Sequence, residues 1–421
     1  MPLEQRSGKA AEASDARVRT PVMLAVPEGE NRVPIHRTCL PARHPSNSSL
    51  RFLRILLYSR RCIVSGSVEQ IVPSAPARHA LTPAARYRLV LGMFSALLFL
   101  GILVAACIGI VPIPLRAMAS FFLGGASLSQ DQRLILFSIR LPRILAAVMA
   151  GSALSVAGLL FQGLFRNPLA DPYVIGSSGG AVLGASIGVF LFPQLSMAGF
   201  GATAFLGVAG AICSITLVYA LASVDGRTPV VALLLAGFAV STMLSYCSYF
   251  LEIMDHDFGT GLRVLTSWLR GTVAQPTWPQ LAVMAALLLA GLAASFPLTR
   301  RLNTLALGEE YAAHLGLHVQ QTRIAVIVVG SMLTAVAVAL GGLISFVGLI
   351  VPHMMRMILG PDHIRLLPAT ALAGGIFLLV ADTVARTVIA PSELPVGVLT
   401  AFIGGPFFLY LLRQAKKEVF A

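Results

Sequence analysis

The sequence predicts an all-α, polytopic membrane protein of about ten transmembrane helices, and three observations predict it. Of its 421 residues, 56% are hydrophobic and only 12% are charged, too few charges to keep so apolar a chain in water. From Arg88 onward, apolar runs long enough to cross a hydrocarbon core of about 30 Å follow one another with short gaps. Lipid offers no partner to an open backbone N–H or C=O, and the runs lack the ten-residue alternation of a barrel, so each must close its hydrogen bonds as a helix.

The expected spans are 89–111, 142–163, 171–193, 198–222, 230–252, 278–297, 324–342, 346–359, 367–389 and 395–412. The eighth is short for a straight crossing and calls for a tilted or broken helix. Glycine pairs such as Gly151 and Gly158, or Gly180 and Gly184, let helices approach closely and associate by contact.

Residues 1–85 differ from the expected transmembrane domain, 86–421: they are rich in Arg, Pro, Ser and Ala and have no signal-peptide layout. They read as a basic, disordered cytoplasmic tail; the competing reading is a true start further downstream. Within them, Leu50–Val64 (LRFLRILLYSRRCIV) suits a basic amphipathic stretch on an anionic membrane surface.

An even number of spans puts both termini on one side, and the basic tail with Arg413, Lys416 and Lys417 makes that side the cytoplasm of a cell inner membrane. Inner loops then hold Arg166, Arg227, Arg300, Arg301, Arg323, Arg356 and Arg365. Arg116, Arg133, Arg140, Arg143, Arg263, Arg270 and Arg386 fall outside, against the usual bias, which calls for an acidic partner or an anionic substrate. Outside the N-terminal tail the arginines sit singly in short gaps between apolar runs rather than along one face, so the net charge of +13 reads as topology and not as nucleic-acid binding.

Other chemistry is excluded by what the motifs lack. Cys39, Cys62, Cys107, Cys213 and Cys247 are scattered without metal-ligand spacing or a disulfide framework. Lys9, Lys416 and Lys417 are the only lysines and none follows a glycine-rich turn, so any ATP, with its Mg, is held by a separate subunit. No H-E-x-x-H pattern marks a membrane metalloenzyme. A proton-coupled secondary transporter is the rival reading, with Asp382, His353 and Glu252 as relay candidates.

Four segments carry local signals. In RNPLADP, Arg166–Pro172, Asn167 can cap a turn, Pro172 suits a first helical turn and Asp171 favours a helix N-terminus; loop chemistry explains the block, and a part in a cytoplasmic gate with Arg166 and Pro168 is the added reading. The longest inner loop, about 298–323, carries Tyr311, Ala312 and Leu315 at helical spacing, an apolar face that wants a partner or lies on its own protein. Arg140 and Arg143 share one helical face if the turn continues through Pro142, and Arg386 either joins them as a free cation or pairs with Asp382 four residues earlier. Arg263 and Arg270 flank Trp268 in an outer gap, either as interface anchors or as contacts for an anionic substrate.

The stretch RLPRILAAVMAGSALSVAGLLFQGLFRNPLADPYVIGSSGGA (Arg140–Ala181) resembles the permease family of binding-protein-dependent importers for iron-siderophores, haem and vitamin B12. So do LGEEYAAHLGL (Leu307–Leu317), GGLISFVGLIVPHMMR (Gly341–Arg356), and Asp382 with ELPVGVLTAFIGGPFF (Glu393–Phe408). These blocks and the helices joining them span nearly everything after Arg88, whereas the tail has no counterpart. The resemblance implies the fold of a type II ABC importer permease, paired with a second permease copy, two ATP-binding subunits and one periplasmic binding protein. It places ATPase coupling at Gly308, Glu309, Tyr311, Leu315 and Gly316, and binding-protein docking at Arg140, Arg143 and Arg386. The cargo it implies is an iron chelate, siderophore or haem, with cobalamin as the alternative.

Overall fold

The computed structural model describes residues 82–420 apart from 110, 124–127, 198, 224–228 and 255–259. All but the last few residues of the 1–85 segment, including Leu50–Val64, lie outside the described residues, as does Arg227. Helix α1 (Pro83–Cys107) begins where its residues demand: the Thr82 hydroxyl accepts the Ala85 N–H at 3.3 Å, and Pro83 needs no N–H partner in a first turn. A short helix, α2 (Leu115–Phe122), follows.

Helix α3 (Gln130–Phe165) is the shaft of the bundle. Of its apolar window 83% is buried, against 17% for α1, and a helix apolar on every face belongs in the middle. It opens with a reciprocal cap between Ser129 and Gln132. It then passes Pro142 by way of a wide turn, Ile135–Arg140, in which the Leu141 N–H reaches back to the Leu136 carbonyl. The expected start at residue 142 is therefore corrected: Arg133, Arg140 and Arg143 stand on the helix itself and not in a gap before it.

The remaining elements are α4 (Ser177–Phe190), the two-residue strands β1 (Ser196–Met197) and β2 (Phe200–Gly201), α5 (Ala202–Ala222), α6 (Val230–Met254), α7 (Thr260–Leu269) and α8 (Trp278–Leu305). They continue with α9 (Glu309–His314), α10 (Val319–Gly341), α11 (Val347–Leu359), α12 (His363–Thr387) and α13 (Val396–Phe420). The ten expected spans correspond in order to α1, α3, α4, α5, α6, α8, α10, α11, α12 and α13. Among the described residues seven helices are long and apolar enough to cross a membrane, and Ser177–Phe190, Val347–Leu359 and Val396–Leu411 are shorter apolar helices.

Two boundaries differ from expectation for one reason. Hydropathy marks the part of a helix that lies in hydrocarbon, and helices continue past it into water. Helix α8 runs through Pro297 to Leu305 and α10 starts at Val319, so the expected 298–323 connection contracts to residues 306–318 with α9 inside it.

Glycines set the packing around the shaft. A Cβ on Gly158 would overlap the Gly348 carbonyl of α11, and one on Gly151 would overlap the Gly374 carbonyl of α12. Gly180 meets the Gly210 carbonyl and Gly184 the Leu206 carbonyl, which draws α4 against α5.

Candidate functional site

Candidate side chains gather at two ends of the bundle. Arg140 and Arg166 both belong to the shaft, one near its start and one as its C-terminal cap, about 39 Å apart at 1.5 Å per residue.

At the first end, buried charge is matched inside the chain. Arg143 donates from Nε and Nη2 to Asp382 Oδ1 at 3.1 and 3.0 Å, and from Nη1 to Glu393 Oε2 at 2.7 Å. The second oxygen of Asp382, whose side chain is 0% exposed, lies 3.0 Å from Arg386 Nε. Arg140 closes the C-terminus of α1, its Nη1 donating to the carbonyl of Ala106 at 2.9 Å and its Nη2 to that of Val111. Arg140, Arg143, Arg386, Glu393 and Gln275 line a cavity of about 290 Å³. The i,i+4 pairing of Arg386 with Asp382 is readable from sequence, whereas Glu393, 250 residues from Arg143, is not.

At the second end, the two loops that the sequence treats separately meet. Glu309, the first residue of α9, accepts from Arg323 Nη2 of α10 at 2.9 Å through Oε1, and the same oxygen lies 3.7 Å from Arg166 Nη2. Arg323 Nη1 also donates to Gln320 Oε1 at 3.2 Å, and Gln320 Nε2 donates to the Tyr219 hydroxyl of α5 at 2.7 Å. Beside this chain of contacts, Gln162 bridges α3 to α11, accepting from Arg356 at 2.9 Å and donating to the Leu349 carbonyl at 3.2 Å. Asn303 joins α8 to α12 through Asp362, at 2.7 Å, and His363. Sequence reasoning places Arg323 and Arg356 in inner loops and passes over Gln162, Asn303 and Gln320.

The 166–176 connection folds by local rules. Arg166 takes the left-handed conformation at φ 50°, which turns the chain out of the shaft. Asn167 Oδ1 accepts the Leu169 N–H at 2.9 Å, the exposed Pro168 continues the turn, and Asp171 Oδ1 accepts the Tyr173 N–H at 2.9 Å as Pro172 opens a short 3-10 turn. Burial pushes the Asp171 carboxyl up to about 6, opposed by that N–H.

Helix α9 presents an apolar face to the outside of the bundle. Tyr311 is 70% and Leu315 68% exposed with Leu307 beside them, while Ala312 is buried. Gly308 precedes α9 at φ 119° and Gly316 follows it at φ 82°, conformations that glycine adopts without strain.

Arg263 and Arg270 do not share a site. Arg263 lines a cleft of about 490 Å³ with Ser267, Thr272 and Gly342, and Arg270 stands outside it. Trp268 packs with Leu265 against α4, and the amphipathic α7 that carries it was not expected. The period-3.6 apolar positions Leu262, Leu265 and Leu269 were the available signal. His353 and Glu252 stand on α11 and α6, apart from the charge cluster that holds Asp382 on α12.

Comparison with known proteins gives this arrangement its family. The FecCD transport family matches residues 97–414. The cobalamin import system permease BtuC of Halobacterium salinarum is 43% identical over 68% of this chain and 75% of its own length. The hemin transport system permease HmuU of Yersinia pestis is 38% identical over 79% of this chain and 97% of its own. A solved structure, reported as an inward-facing conformation of an ABC transporter of metal-chelate type, superposes with a TM-score of 0.69 at 30% identity, covering 78% of this chain and all of that one. The chain thus belongs to the FecCD transport family and is a multi-pass permease subunit of an ABC importer.

Proposed function

We propose that this permease carries an iron chelate, a siderophore complex or haem, from the periplasm to the cytoplasm. It works as two copies with two ATP-binding subunits and one binding protein, and both termini face the cytoplasm. The observation that supports the engine side of this reading is α9, a short helix held outside the spans with Tyr311 and Leu315 uncovered. An apolar face of this kind fits a cleft in a partner, and the ATP and Mg belong to that partner.

On this reading the 166–171 loop shapes the cytoplasmic gate, and Arg263 faces the entry path, where a carboxylate-bearing chelate meets a cation. The cluster of Arg140, Arg143 and Arg386 is buried and paired with Asp382 and Glu393, so it acts on acidic residues of the binding protein through its residual positive charge and not by direct contact, setting orientation and encounter rate. Cobalamin is the second reading, favoured by the higher identity of the Halobacterium cobalamin permease, 43% against 38% for the haemin permease.

Reconstitution tests both. Proteoliposomes holding the permease, its ATP-binding subunit and its binding protein are offered a ferric siderophore, haemin and cyanocobalamin. ATP-dependent accumulation of the siderophore or haemin is expected. Accumulation of cyanocobalamin alone selects the second reading, and uptake that persists with a hydrolysis-dead ATP-binding subunit overturns both.

A further inference from the structure

We infer that Glu309 is a positioning residue that ties α9 to the bundle and passes its displacement to the 166–171 loop. The inference rests on the reading of α9 as the segment on which the ATP-binding subunit docks.

The geometry supports a tie and not a chance surface pair. Only Ala312 of α9 is buried, so the helix has little apolar anchorage of its own. Its first carboxylate instead uses one oxygen for two cations that belong to different spans: Arg323 near the start of α10 and Arg166 at the end of α3. Arg323 is well placed to hold it, because its side chain is 10% exposed and its other arm is fixed by Gln320, itself bonded to Tyr219. The Arg166 leg is longer and more exposed, and it ends on the residue whose left-handed backbone sets the direction of the loop. A push on α9 therefore reaches α10, α5 and the loop through one polar chain of four side chains and Glu309. Backbone connectivity alone delivers that push only to α8 and α10, the helices on either side of α9. The tie is what adds the 166–171 loop, which lies more than 130 residues earlier in the sequence.

The experiment uses the whole permease bound to its ATP-binding subunit in proteoliposomes, with the native cysteines replaced by serine and Leu169→Cys as reporter. Labelling of that cysteine by a membrane-impermeant maleimide is followed with and without ATP and vanadate, alongside co-purification of the ATP-binding subunit and ATP hydrolysis. With Glu309 present, nucleotide changes the labelling rate. In E309Q the nucleotide-dependent change in labelling is lost when labelling is normalised to the ATP-binding subunit retained and to the ATP it hydrolyses. The charge-inverted triple variant E309R/R166E/R323E restores it. An E309Q variant that keeps the change overturns the inference, as does a folded triple variant that does not restore it. If the ATP-binding subunit fails to bind the parent protein, the docking reading itself fails, a result distinct from either.

Discussion

The two ends of α3 solve the same problem, cations close to a membrane, in opposite ways. At the first end Arg143 and Arg386 converge on an Asp382 that no solvent reaches, and Arg140 is spent on the carbonyls of α1. At the second end Glu309 and Arg166 remain more than 40% exposed, and Tyr311 and Leu315 are uncovered. Buried charge must be matched in full or the fold suffers, whereas exposed charge is screened and adds little stability. The first end should thus report on folding and the second on coupling.

The largest effect is expected at the first end. Asp382→Ala leaves two buried guanidinium groups without their shared carboxylate, a change of the kind that costs about 3–5 kcal/mol. Thermal unfolding in detergent should show a large drop in midpoint and in folded yield. A midpoint within a degree or two of the parent removes the contrast between the ends.

Next comes the shaft that joins them. Gly158→Ala places a methyl where the Gly348 carbonyl sits, and overpacking of this kind costs about 1–3 kcal/mol. The same assay should rank it below Asp382→Ala, and Gly92→Ala, where a Cβ meets nothing within 4 Å, should be neutral.

How much of this contrast was legible depends on the range over which each signal acts. The bundle was legible because lipid imposes an apolar run at each crossing, and the Gly158 and Gly184 contacts were legible because small residues mark close approach. The Asp382–Arg386 pair was legible at i,i+4. Arg143 with Glu393, and Glu309 with Arg166, are contacts across 250 and more than 140 residues, and nothing local encodes them. Helices α2 and α7 escaped because hydropathy averages hide a short amphipathic helix, although its period was present. The arginines before Pro142 were misplaced because a proline reads as a helix start, while the wide turn at Ile135–Arg140 carries the helix through it.

The loop at the second end should respond to pH. The folded Asp171 carboxyl titrates at about 6, above the usual carboxylate range, so the folded loop holds its proton more tightly than an unfolded one. Its stabilising contribution is present in full below about pH 4 and is lost as pH rises through about 6. Allowing for its partial exposure, the difference is about 1–2 kcal/mol. Hydrogen exchange of residues 166–176, corrected for intrinsic rates, should show greater protection at pH 5 than at pH 7.5, and Asp171→Asn should flatten that dependence. Equal protection at both values means the carboxyl is better solvated than its surroundings indicate.

The smallest stability effect, and the sharpest test of the comparison, is expected on α9. Tyr311→Ser with Leu315→Ser removes two side chains that are about 70% exposed, so little buried area is lost and the midpoint should stay within about 0.5 kcal/mol of the parent. If the uncovered face is a docking surface, the same double variant should fail to retain the ATP-binding subunit on co-purification from detergent, because aromatic and aliphatic anchors carry most of the affinity of a small interface. Asp382→Ala must give the opposite pattern among its surviving molecules, with poor stability but retained partner binding. A Tyr311/Leu315 variant that unfolds would show that the face is covered by its own chain; one that folds and still binds its partner would move the docking surface away from α9.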